Sequence, residues 1–286
     1  MDNQLVSLLS LYRSFGIDYI LGSSELNEYL SSLQNQSTKE ITPTVVKPNI
    51  TSNNIQKSIK QEPYSPVLAK EKPRVEQPII KKEINNDHLK HINSMEGLKE
   101  ALQNFNECAL KKTAINTVFG SGNFNADILV IGEAPGADED EQGIPFVGRS
   151  GQLLCKAFES VGINRDNIFI SNTVFWRPPG NRAPNIDEID MCYPFTLKMI
   201  EIMAPKLILL VGKVSTTKFF EKDEPMGKIK GKWHNINFNF NNKNIIIPTR
   251  VVFHPAYLLR NPSQKRVLWL ELLSIMEKIK ELGLKY

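Results

Sequence analysis

Asp127-Ile-Leu-Val-Ile-Gly-Glu-Ala-Pro-Gly136 is a short apolar run that breaks into a Gly/Pro loop. A run of this length with no polar alternation reads as a strand buried on both faces, the pattern of a parallel sheet. The next segment, SGQLLCKAFESVG (Ser150–Gly162), has its apolar residues at helical spacing. The alternation then repeats along the chain. NIFISN (Asn167–Asn172) is a second strand, followed by a proline-rich loop and a helix over Ile186–Met203. KLILLVG (Lys206–Gly212) is a third strand with a helix after it, and INFNFNNKNIIIP suggests a hairpin. TRVVFHP (Thr249–Pro255) is a further strand ending in a His-Pro loop, and a final helix covers Gln264–Leu282. Ahead of all these, MEGLKEALQNF (Met95–Phe105) reads as a helix. Strands alternating with amphipathic helices indicate an α/β fold, a parallel sheet with helices on both faces. Sites in such sheets gather at the carboxyl ends of the strands. GEAPG, SN, RPPGNR and HPAY all fall there.

The chain has 286 residues, enough for one or two domains. Its formal net charge of +4 is too mild to establish a nucleic-acid partner. The distribution says more: Lys206 to Arg266 holds twelve basic and three acidic residues. Such a block attracts a polyanion or forms a solvated basic face. Ser31 to Ile92 contains six prolines, no glycine and one aromatic residue, Tyr64. It has too little apolar surface to offset chain entropy, so a disordered tether is expected. Before it, Leu5–Ile20 has the spacing of an amphipathic helix, which could dock a protein partner or pack on the main domain. The expected organisation is a helical segment over 1–30, a linker over 31–92 and a catalytic domain over 93–286. Cys108, Cys155 and Cys192 form no CxxC pair, which excludes a disulfide scaffold and suits a reducing cytoplasm. Neither a secretory leader nor a membrane span is expected, since no stretch approaches 18 uncharged apolar residues.

Several strand-end residues have chemistry to offer. Gly132 to Gly136 allows close backbone approach to a ligand, or is a tight turn; it lacks the spacing of a phosphate loop. Residues 137–141 hold four acids in a row, either a solvated loop or the source of a carboxylate that orients water. Phe146, between Pro145 and Val147, could stack a planar ring or fill the core. Asn172 could accept from ring N3–H and donate to O4 of uracil, whereas cytosine presents the opposite pattern. Each buried mismatch costs about 1–3 kcal/mol, enough for strong discrimination. A strand-ending turn is the plainer alternative. Of the four histidines, His254 belongs to the strand-end set, while His88, His91 and His234 do not. It could donate to a developing oxyanion or serve only in structure. Arg177, Arg182 and Arg260 suit phosphate contacts or surface ion pairs.

Taken together these segments resemble the family 4 uracil-DNA glycosylases. The resemblance runs from about Leu98 to Trp269. It rests on GEAPGADEDEQGIPFVGRSGQLL (132–154), ISNTVFWRPPGNRAP (170–184), LILLVGK (207–213) and HPAYLLRNPSQK (254–265), in that order. It implies a three-layer α/β/α fold with a central four-stranded parallel sheet, and hydrolysis of the N-glycosidic bond of deoxyuridine in DNA. It further implies that Glu133, Ala134, Pro135 and Gly136 line a uracil pocket in which Phe146 stacks on the base. Asn172 would read the base edge and His254 would face O2. Glu139 matches the acidic catalytic position and Asn181 a polar residue of the RPPGNR loop. Arg177, Arg182 and Arg260 would lie beside the DNA backbone. The family also holds an iron–sulphur cluster on four cysteines. Cys108 and Cys192 fit two of those positions, while Phe105 and Trp176 occupy the others. The expectation is therefore no cofactor, with apolar packing by the two aromatics in its place. The expected partner is uracil-containing DNA, bound by a cytoplasmic monomer. An alternative is a catalytically weak DNA-binding or polymerase-associated module.

Overall fold

The computed structural model describes residues 89–220, 225–240 and 243–286. The helix expected over Leu5–Ile20 and nearly all of the expected linker lie outside the described residues. Leu89, four residues before the expected domain boundary, is already fully buried in the core.

Every residue of β2 (Ile128–Gly132), β3 (Phe169–Asn172) and β4 (Leu207–Val211) is buried, as a sheet covered on both faces requires. These three strands and β6 (Lys243–Val252) are parallel, in the order β3-β2-β4-β6. Two antiparallel strands extend the edges, so the sheet is six-stranded and mixed. They are β1 (Ser121–Gly122) beside β3 and β5 (Trp233–Phe240) beside β6. The short edge strand β1 has no counterpart in the sequence reading. β6 merges two expected pieces, the return arm of the hairpin and the TRVV strand. It runs unbroken because its first part pairs with β5 and its last part with β4. Pro248 sits just before pairing with β4 begins at Thr249, where its missing N–H breaks no ladder on that side.

Side chains alternate between the two faces. Leu129, Ile131, Ile208 and Leu210 join one apolar cluster with Met95, Leu98 and Leu102 of α1 (Met95–Asn104) and with Ile189, Phe195 and Met199 of α4 (Ile186–Met203). The opposite face is covered by α3 (Arg149–Glu159), α6 (Pro255–Arg260) and α7 (Lys265–Glu281), with α3 packed against both of the others. The result is the three-layer α/β/α arrangement. Caps fix where the helices begin. Ser94 Oγ accepts from Gly97 N–H at 3.1 Å, and Asn185 and Glu188 form a reciprocal capping box on α4.

Two segments differ from expectation. The acidic run is not a loop but a short helix, α2 (Ala137–Gln142), in which Asp138, Glu139 and Asp140 occupy the first turn and complement its unpaired N–H groups. After β4 the chain makes only a 3-10 turn, Val214–Thr216, and then the four-residue α5 (Met226–Ile229) beyond the undescribed 221–224. Among the described residues no helix is long and apolar enough to cross a membrane.

Candidate active site

Gly132 and Asn172 are paired across β2 and β3, and Val211 and Val252 are paired across β4 and β6. The four parallel strands therefore end nearly level, and the loops that leave them converge. Thr173 ties the first two together, since its N–H and its hydroxyl both donate to Gly132 C=O, at 2.9 and 2.8 Å. These loops enclose a cavity of about 630 Å³.

Glu133, Ala134, Pro135, Gly136, Glu139, Phe146, Asn172, Asn181, Arg182, His254 and Arg260 all line it. Residues as far apart in sequence as Glu133 and Arg260 thus meet at one place. Arg177 lies outside the lining and works through its neighbour: its Nε donates to Asn181 Oδ1 at 2.7 Å. That bond occupies the Asn181 carbonyl and leaves its NH₂ as the group on offer, on a residue with φ of 55°. The Arg182 guanidinium forks onto the Glu188 carboxylate at 2.9 and 2.6 Å and also donates to Ala183 C=O. Those bonds hold the Glu188 carboxyl below the usual carboxylate range and pin the RPPGNR loop to the start of α4.

Asn172 is 2% exposed, and among the described residues its amide makes no hydrogen bond. Buried polar groups are nearly always paired, so an amide left open to a cavity is poised for a ligand. Gly132 makes room for it: a Cβ there would lie 2.4 Å from both Asn172 Oδ1 and Phe146 Cζ. The Phe146 ring is buried and stands 6.2 Å from that of His254, centroid to centroid.

His254 caps α6 by accepting the Ala256 N–H at Nδ1, 3.2 Å away. A nitrogen that accepts carries no proton, so the neutral ring bears its hydrogen on Nε2. Burial lowers the His254 pKa below 6.5, opposed by the charge of Glu133, and favours that neutral donor form near pH 7. Glu139 is held on both oxygens. Oε2 accepts from Gly136 N–H at 3.0 Å, and Oε1 from Val147 and Gly148 N–H at 2.9 and 2.8 Å. Glu133 Oε1 accepts from Val214 N–H at 3.1 Å.

The lining also includes Ser150, Lys213, Met226, Phe253 and Tyr257, which sequence reasoning missed. Tyr257 ends the HPAY segment, and Phe253 directly precedes His254. Lys213 follows the third strand as Asn172 ends the second, so strand-end position was the available signal. Phe253 is itself backed by the Lys230 ammonium, 3.5 Å from its ring centroid. Part of the basic segment is spent internally: Lys206 pairs with Asp127, Lys218 with Asp190, and Arg250 with Glu271. Among the described residues Lys213 and Arg260 have no ion-pair partner, and both face the cavity.

Residues 119–273 match the family model described as the uracil DNA glycosylase superfamily. The chain is 36% identical over 173 residues to a type-4 uracil-DNA glycosylase of Pyrobaculum aerophilum, covering 59% of this chain and 86% of the relative. It is 38% identical over 182 residues to that of Saccharolobus solfataricus, 62% of this chain and 82% of the relative. It is 37% identical over 199 residues to that of Sulfurisphaera tokodaii, 68% of this chain and 86% of the relative.

These relatives overturn the expectation of a chain without a cofactor, because they are type-4 enzymes, the class whose resemblance implies an iron–sulphur cluster. Cys108 and Cys192 are the thiols this chain brings to that place. Cys192 holds the Cys108 thiol down at about 7, while burial pushes Cys192 up. Phe105 and Trp176 stack with centroids 6.4 Å apart, Trp176 within and Phe105 against the apolar cluster that also holds both thiols, and Trp176 Nε1 donates to Thr117 Oγ1. Among the described residues no group of three or more His, Cys, Asp or Glu gathers as ligands. This donor set does not by itself complete a four-thiolate cluster.

Proposed function

Because the chain belongs to the uracil DNA glycosylase superfamily and matches type-4 enzymes over most of their length, it is a uracil-DNA glycosylase, and we propose how its pocket does the work. The observation that carries the reading is the meeting, in one cavity, of an open, buried Asn172 amide and a His254 ring whose Nδ1 accepts the Ala256 N–H.

A uracil turned out of the DNA stack enters between the loops at the strand ends. Its face rests on the Phe146 ring. Its edge meets Asn172, whose carbonyl accepts from N3–H and whose NH₂ donates to O4. Cytosine would set acceptor against acceptor and donor against donor, at about 1–3 kcal/mol for each unpaired group. As the N-glycosidic bond lengthens, negative charge gathers on the base and positive charge on the sugar. His254 Nε2–H donates to O2 and stabilises the departing anion. A fixed donor of this kind supplies about 3–4 kcal/mol. Glu139 is a fixed anion whose amide bonds hold it in place, suited to face the cationic sugar and to orient the water that adds there. Asn181, turned by Arg177, offers its NH₂ at the rim, while Arg260 and Lys213 supply cations for the DNA backbone.

The type-4 relatives favour an active glycosylase over the alternative of a catalytically weak DNA-binding or polymerase-associated module. Incubation with a uracil-containing oligonucleotide followed by alkaline cleavage tests the reading. Abasic product is expected from the wild type. Its absence with both paired and single-stranded substrates defeats the account.

A further inference from the structure

Phe146 has a φ of 56°, in the left-handed region that bulky residues avoid. Such a conformation persists only when its surroundings over-determine it. Gly151 helps by admitting the backbone, since a Cβ at 151 would lie 2.1 Å from Phe146 C. The hydrogen bonds show what holds it. On one side Glu139 takes the N–H groups of Val147 and Gly148. On the other, Arg165 takes the carbonyls that precede them: Nη1 donates to Phe146 C=O at 3.2 Å and Nη2 donates to Pro145 C=O. Arg165 is fixed in turn by Ser121 Oγ, at 2.9 Å from Nη2.

We infer that Arg165 is a positioning residue for uracil excision, locking the strained Phe146 peptide so that the ring lies ready for the flipped base. Arg165 opens the 3-10 turn Arg165–Asn167, before β3, and is not part of the cavity lining. It is one jaw of a clamp. A guanidinium gathers two successive carbonyls, a carboxylate gathers the two N–H groups that follow, and the residue between them cannot relax. A single planar fork can bind both carbonyls, which an ammonium cannot reproduce. The inference rests on the reading that Phe146 stacks on uracil, and its test separates the two.

Single-turnover excision is measured for Arg165→Met, Arg165→Lys, Ser121→Ala, Phe146→Ala and the double variant Arg165→Met/Phe146→Ala. Each is assayed well below its own melting temperature. Arg165→Met is expected to lower the maximal rate about tenfold or more, with the enzyme concentration for half-saturation by DNA unchanged within about twofold. Arg165→Lys, and Ser121→Ala, which removes one support of the fork without removing the fork, should each fall between it and the wild type. In the Phe146→Ala background, Arg165→Met should cost nothing further, because the ring it positions is gone. A wild-type rate in Arg165→Met, or an equal additional loss in the double variant, overturns the positioning role. So does an effect confined to half-saturation. A wild-type rate in Phe146→Ala instead overturns the stacking reading. Should Arg165→Met fail to fold, Arg165→Lys alone and in the Phe146→Ala background decides by the same comparison.

Discussion

Replacing Gly132 with alanine puts a methyl group where the pocket has no space for one. Its Cβ would lie 2.4 Å from Asn172 Oδ1 and equally close to Phe146 Cζ. Ordinary contacts begin near 3.5 Å, so each neighbour must give by about 1 Å. Backbone retreat is blocked, because Gly132 is paired with Asn172 across the sheet and its carbonyl takes two bonds from Thr173. The displacement therefore falls on the two side chains proposed to read and stack the base. Misplacing such groups by about 1 Å costs on the order of 100-fold in rate. Overpacking of this size costs about 1–3 kcal/mol of stability, which a domain with two covered faces can absorb. The assay is single-turnover release of uracil from a labelled oligonucleotide, with a thermal melt of the same preparation. A folded Gly132→Ala protein that excises within about threefold of the wild-type rate would refute the claim that these contacts set the pocket.

His254→Ala and Asn172→Ala are each expected to lower single-turnover rates by on the order of 100-fold or more, and wild-type rates would refute the assignment. The His254 ring should titrate below 6.5 in a histidine-selective NMR titration, with its proton on Nε2 in the neutral form. Its stabilising contribution is present above 6.5 and lost as pH falls through the folded value. An inflection at or above 6.5 would contradict the half-buried, N–H-capped geometry. Arg250 and Glu271 form a buried pair at 2.6 Å that joins β6 to α7. Arg250→Met strands the carboxylate and should destabilise by about 3–5 kcal/mol in urea unfolding, while Arg250→Met/Glu271→Leu should recover much of that loss.

Which features could be read in advance follows from how local their causes are. The wholly apolar runs at Ile128–Gly132 and Leu207–Val211 announced buried parallel strands, because burial on both faces leaves no room for alternation. The helix over Ile186–Met203 was bounded by its own capping residues, Asn185 and Glu188. By contrast, β1 is two residues held by pairing with β3, and nothing in Ser121–Gly122 signals it. The acidic run reads as a solvated loop or as the source of a water-orienting carboxylate, and its helical turn depends on Glu139 reaching back to the Gly136 N–H. In the site, the strand-end rule found Asn172 and His254. Arg177 and Arg182 suit phosphate contacts or surface ion pairs from their loop alone, and the partners they take, Asn181 and Glu188, depend on how that loop folds back. Arg165 was invisible for the same reason, since its partners at 145 and 146 are backbone carbonyls some twenty residues away. The cluster question turned on relatives, which no residue pattern in one chain supplies.

The claim that one pocket both reads uracil and drives its departure is tested most directly by comparing free-base release from matched U·G and C·G oligonucleotides in a single assay. The account predicts free uracil and an abasic strand from the first and an intact strand from the second, with uracil release lost in Asn172→Ala. Equal release of both bases, or no release of uracil by the folded wild type, would contradict it.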